Sequence, residues 1–89
     1  MASRPRRRSI HERHVVADTV LDTRGLSCPL PVLRARKAMQ KLAPGALLRV
    51  LATDPGTVKD MQAFCRAGGH ELVDSRTQED EFHFLLRKA

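Results

Sequence analysis

One cysteine in this chain stands where it can do chemistry. In the stretch RGLSCPLPVLRARK, Arg24 to Lys37, Cys28 follows a glycine turn, sits between Ser27 and Pro29, and precedes a run of cations. Pro29 and Pro31 each bias the preceding residue away from helical backbone, so the thiol is expected at or just before a helix N-terminus. The helix begins at either Pro29 or Pro31. Free N–H groups and the helix dipole favour a thiolate at such a place. The effect is roughly 0.3–1 kcal/mol, under about one pH unit, and the two prolines remove donors that would enlarge it. Arg24 and Arg34 add positive charge nearby. The expectation is a thiol that is exposed, modestly activated and still a good nucleophile.

What surrounds Cys28 narrows the chemistry further. The other cysteine, Cys65, lies far beyond Cys-x-x-Cys spacing, and no histidine is close in sequence to act as a base. No metal is expected: His11 and His14 form His-Glu-Arg-His, one residue short of the metalloprotease spacing and without cysteine partners. There is no glycine-rich phosphate loop. A lone, rigidly presented cysteine without acid or base neighbours suits a group carrier better than a self-sufficient enzyme.

The elements that position it can be read from periodicity. With 89 residues the chain supports one small two-layer core, and with three Phe and no Trp or Tyr that core must be mainly aliphatic. Thr19–Thr23 reads as a first strand broken by Arg24-Gly25. Val32, Ala35, Met39 and Leu42 then recur on one helical face, and Arg34, Lys37 and Lys41 on another, until Pro44-Gly45 ends the helix. ALLRVLA, Ala46 to Ala52, is a continuous apolar run expected to be a buried strand. Thr53 or Asp54 can cap a second helix, with Pro55 in its first turn. Val58, Met61, Phe64 and Cys65 form its buried face, and Gly68-Gly69 its left-handed end. HELVDS and EFHFLLRK read as two more strands joined across a polar RTQED turn.

The order is therefore β-α-β-α-β-β. The expected fold is α+β, a two-layer sandwich with a four-stranded mixed sheet and both helices on one face. If Leu48, Val50, Phe84 and Leu86 face the helices, Leu47, Leu51 and Leu85 face away and hint at partner contact. Asp54 and Pro55 are expected to cap a helix, Asp60 to be solvated, and His70 and His83 to be ordinary strand residues. Arg24 is expected to be a turn residue that also helps steer a partner.

Charge divides the chain. Residues 1–16 hold five arginines against Glu12, a net +4, whereas 17–89 carries only +2 of the formal +6. The first segment lacks apolar periodicity and reads as a disordered basic leader. No apolar run is long enough to span a membrane and no secretory core follows the arginines, so a cytoplasmic location is expected, with both thiols reduced.

The pattern Arg-Gly-x-x-Cys-Pro-x-Pro, followed by a basic helix, the Asp54-Pro55 helix start and GHEL before the third strand, resembles the TusA/SirA sulfur carriers. The likeness runs from about Leu21 to Lys88, so that 17–89 would form a TusA-like sulfur carrier domain. The resemblance implies that Cys28 takes sulfane sulfur as a persulfide from a cysteine desulfurase or similar donor. It then relays that sulfur to an acceptor protein in tRNA thiolation, molybdenum cofactor maturation or sulfur oxidation. It implies no bound cofactor beyond the transient persulfide. Arg24, Gly25, Pro29 and Pro31 would support the motif, and Arg34, Lys37 and Lys41 would meet acidic patches of a partner. The arginine-rich leader, and Leu30 where some carriers have Glu, depart from the family pattern. The alternative is an RNA-binding or regulatory module that uses the basic leader and basic helix. It is disfavoured because surface aromatics are lacking and the charge is concentrated in the leader.

Overall fold

The computed structural model describes residues 17–89. The expectation for the leader, and that for His11 and His14, lie outside the described residues. The elements are β1 (Thr19–Thr23), α1 (Leu30–Gln40), β2 (Leu47–Ala52), α2 (Thr57–Gly68), β3 (Glu71–Gln78) and β4 (Glu81–Arg87). No helix among them is long and apolar enough to cross a membrane.

The four strands form one sheet in the order β1-β2-β4-β3. β1 and β2 are parallel neighbours, as a βαβ crossover demands, and β4 pairs antiparallel with both β2 and β3. The expected α+β sandwich is therefore present. The second crossover differs from the first: α2 carries the chain past β4, which inserts between β2 and β3.

The register explains the core. Leu48 pairs with Leu86, Val50 with Phe84 and Ala52 with Phe82, which puts the fully buried Leu48, Val50, Phe84 and Leu86 on the helix side. Ala35 and Met39 from α1, and Met61 and Cys65 from α2, close over them. Each such large side chain contributes roughly 1.5–3 kcal/mol by leaving water. On the opposite face Leu47, Leu51 and Leu85 lie as the alternation requires. That face is not a bare leucine surface, however. Leu85 is only 2% exposed and sits in register between Arg49 and Asp74, so Val20, at 60%, is the large apolar residue left open there.

Three boundaries differ from expectation, the third being the start of α2, at Thr57 and not at Pro55. β3 extends through Arg76, Thr77 and Gln78, which were expected to belong to the turn. The turn is only Glu79-Asp80, with Glu79 at φ 57. An edge strand with both faces wet carries no hydrophobic alternation, so its sequence looks like loop. A register shift between Leu72 and Asp74 further breaks the period. Helix α1 begins at neither proline: Pro29 is its cap, Leu30 its first residue and Pro31 its second. At its other end Lys88 Nζ donates to the carbonyls of Met39 and Leu42, at 2.6 and 3.1 Å. The second helix ends as expected, with Gly69 left-handed at φ 72 and His70 N donating to Cys65 O at 2.9 Å.

Candidate functional site

Cys28 lies in the loop between β1 and α1, and four local features hold that loop. Gly25 turns the chain at φ 85, where a side chain would be strained, and its N–H donates to Thr53 Oγ1 at 2.9 Å. Arg24 pins the turn: it grips Asp22 with two side-chain bonds, at 2.8 and 2.9 Å, and reaches Glu81 at the start of β4 at 3.1 Å. Leu30 N donates to Ser27 O at 2.9 Å, which folds the chain into the helix immediately after the cysteine. Pro31 is buried and anchors the first turn of α1 against the core. The Cys28–Pro29 peptide is cis.

The loop between β2 and α2 meets this one. Asp54 Oδ2 accepts the Cys28 N–H at 2.8 Å, and Asp54 Oδ1 accepts the Gly56 N–H at 2.8 Å. Gly56 comes so close that a Cβ there would lie 3.4 Å from Cys28 Cβ and 3.6 Å from its Sγ. Asp54 and Pro55, expected to cap α2 and enter its first turn, do neither: the helix starts at Thr57 with Gly56 as its cap and no side-chain cap bond. They form the turn before it, and Asp54 also fixes the backbone of the cysteine, which was not expected. Asp54 is held below the usual carboxylate range by these two backbone donors.

The thiol is exposed and donates to Asp60 Oδ2 from the first turn of α2. That contact corrects two expectations. Asp60 is not a solvated bystander. The Cys28 thiol, moreover, is not activated: its pKa is raised from the ordinary value by the hydrogen bond to Asp60, by desolvation and by the negative charges of Asp60 and Asp54. The helix dipole loses because the donors nearest the thiol are missing or used. Pro29 and Pro31 have no N–H, and the N–H of Leu30 is bonded to Ser27. Arg24 is engaged with Asp22 and Glu81 rather than with the cysteine, which accounts for its placement in the turn and gives no sign of the steering role.

Cys28 opens onto a groove of about 720 Å³ between the two helices, lined on one side by Pro29, Val32, Leu33 and Arg36. Asp60, Ala63, Phe64, Ala67 and Gly68 line the other. Arg34 and Lys37 border a neighbouring depression of about 380 Å³ with Leu30, Leu33 and Arg36. Lys41 is farther along, as the C-cap of α1. The cation that shares the groove with Cys28 is Arg36, which periodicity passed over because it belongs to neither the apolar stripe nor the chosen basic one. Helix α1 contains no acidic residue, and none of its cations pairs with an acidic side chain among the described residues. Cys65 is buried in the core, as expected, and desolvation pushes its thiol up to about 11.

An exposed thiol on a clamped loop, at the mouth of a groove and with one proton acceptor, can accept and release a small group. Comparison with known proteins agrees with this geometry. The family model described as Sulfurtransferase TusA matches residues 19–88. The sulfur carrier protein TusA of Allochromatium vinosum is 49% identical over 72 residues, covering 81% of this chain and 95% of that protein. The sulfur carrier protein TusA of Pseudomonas aeruginosa is 44% identical over 71 residues, covering 80% of this chain and 90% of that protein. The crystal structure of a SirA-like protein from Desulfitobacterium hafniense superposes with a TM-score of 0.70 over 78% of this chain and 95% of its own, at 22% identity, and has the same fold. Sequence, fold and the matched span together make this chain a member of the TusA family.

Proposed function

We propose that this protein is a sulfur carrier. Cys28 accepts sulfane sulfur as a persulfide from a cysteine desulfurase or similar donor and passes it to an acceptor protein. The observation that carries the reading is the exposed thiol of Cys28, whose backbone N–H Asp54 holds at the mouth of the interhelical groove. The names of its relatives support the same role. The persulfide is transient cargo, and no resident cofactor takes part. The acceptor belongs to tRNA thiolation, molybdenum cofactor maturation or sulfur oxidation, and the site of action is the cytoplasm. Arg34, Lys37 and Lys41, together with Arg36, offer α1 as a basic surface to acidic groups on a partner.

The test is intact-protein mass after incubation with a cysteine desulfurase, L-cysteine and pyridoxal phosphate. Wild type and Cys65→Ser should gain one sulfur that reductant removes, and Cys28→Ser should gain none. If no form gains sulfur, and thiosulfate and polysulfide also fail, the carrier reading is wrong.

A further inference from the structure

We propose that Asp60 is a positioning residue for Cys28: its carboxylate holds the proton on the empty thiol and thereby governs how readily Cys28 attacks a sulfur donor. The inference rests on the carrier reading and deepens it. The charged groups around the thiol come from each element packed against it. Asp54 from the β2–α2 loop holds the backbone N–H, Asp60 from α2 takes the thiol hydrogen bond, and Arg36 from α1 lines the same groove. Asp60 is the one side chain among the described residues bonded to Sγ. It reaches there because the close approach of Gly56 lets the first turn of α2 lie against the cysteine loop.

Transfer requires that the thiol proton leave. Cys28–SH and a donor persulfide R–S–S⁻ give Cys28–S–S⁻ and R–SH. The electron pair on Cys28 Sγ forms the new S–S bond, and the donor's S–S bond breaks with its pair going to the inner donor sulfur. That sulfur takes the proton, and nothing is oxidised or reduced overall. While Asp60 accepts the thiol hydrogen and its negative charge opposes a second one beside it, the nucleophilic form is scarce. After loading, Sγ has no proton to donate, and Asp60 faces a persulfide anion that it repels. The same carboxylate therefore restrains the empty carrier and favours discharge of the loaded one.

The experiment follows the pH dependence of Cys28 alkylation by iodoacetamide, and of its loading by inorganic polysulfide, read by mass in the full chain. It compares wild type with Asp60→Asn, Asp60→Glu and, as a neighbouring charge change, Lys59→Gln. In Asp60→Asn the midpoint should fall by about one pH unit in both reactions. A tenfold larger thiolate fraction, offset by the weaker nucleophilicity of a less basic thiolate, leaves alkylation about threefold faster near pH 7. At high pH, where both proteins are ionised, the variant should be the slower one. Asp60→Glu should stay near wild type, because it keeps the charge. If Asp60→Asn does not fold, Asp60→Ser gives the same comparison. An unchanged midpoint, or acceleration by the same factor at every pH, would overturn the proposal. So would a shift in alkylation without one in loading. If the wild type takes no sulfur from any donor while the alkylation midpoint still shifts, the carrier reading fails and the hold of Asp60 on the thiol stands.

Discussion

Asp54 binds two backbone N–H groups with its two oxygens, that of Cys28 across the loop and that of Gly56 two residues on, each at 2.8 Å. One carboxylate therefore couples the cysteine loop to the start of α2. Asp54→Ala should remove both bonds and cost about 1 kcal/mol, the scale of a hydrogen bond lost at a partly exposed site. It should also slow sulfur loading of Cys28, because the loop is no longer held at the groove. Denaturant unfolding and the mass assay, run on the same variant, measure the two effects. A variant that loses stability but loads at the wild-type rate would show that the clamp serves the fold alone.

Cys65 provides the internal comparison. Burial pushes its thiol up to about 11, so at neutral pH it is both inaccessible and protonated. Native protein should lose one thiol to a modifying reagent, at Cys28, and protein in denaturant should lose two. Cys65→Ala should destabilise by about 1 kcal/mol through the cavity it leaves and still carry sulfur. Loss of loading in that variant, with the fold intact, would give Cys65 a chemical role that its position argues against.

The Arg24 network sets an acid limit. Its hydrogen bonds and charge lower Asp22 to about 2, from an ordinary value of 3.8. A depressed carboxylate stabilises the fold above its unfolded value, and that contribution is lost as pH falls through the folded one. The loss should therefore fall between about pH 4 and pH 2. Glu81 is also lowered, by His83 and Arg24, and adds to the same trend. Stability of Arg24→Met measured against pH should be flatter across that window than wild type. Asp22 and Arg24 are exposed and Glu81 is half-buried, so solvent screens the network and the difference at neutral pH should be small.

Glu79 occupies left-handed backbone at φ 57 in the two-residue turn between β3 and β4. A non-glycine residue there costs roughly 1–2 kcal/mol, and glycine gives part of that back as unfolded-chain entropy. Glu79→Gly should stabilise the protein by about 0.5–1 kcal/mol without altering Cys28 reactivity. Thermal unfolding and the iodoacetamide rate check the two halves of that statement.

Much of the fold was legible in the sequence because it rests on burial. Thr19–Thr23, the apolar stripe of α1 and the Met61–Cys65 face of α2 each have a period set by one wet side and one dry side. β3 was misread where that contrast is absent, over Arg76 to Gln78. At the site, glycine and two prolines around Cys28 speak directly about how a backbone is presented. Asp60 says nothing of the kind. It is thirty-two positions away, and only the crossover that lays α2 beside the cysteine loop brings it to the thiol. The sign of the charge around Cys28 followed from that tertiary contact, so reasoning from the neighbours in sequence reached the opposite one.

The place of β4 in the sheet has a consequence for how the molecule comes into being. It follows the other elements in synthesis, yet it lies between β2 and β3 and supplies Glu81 to the Arg24 clamp. A nascent chain that has emerged only as far as Gln78 has β1 and β2 able to pair, but β3 has no neighbour to join. Folding of this protein is thus deferred until its final hairpin is free, and the cysteine loop is secured only then. A ribosome-stalled chain ending before Glu81 should expose its thiols to alkylation alike, whereas one extended past Lys88 should protect Cys65 alone.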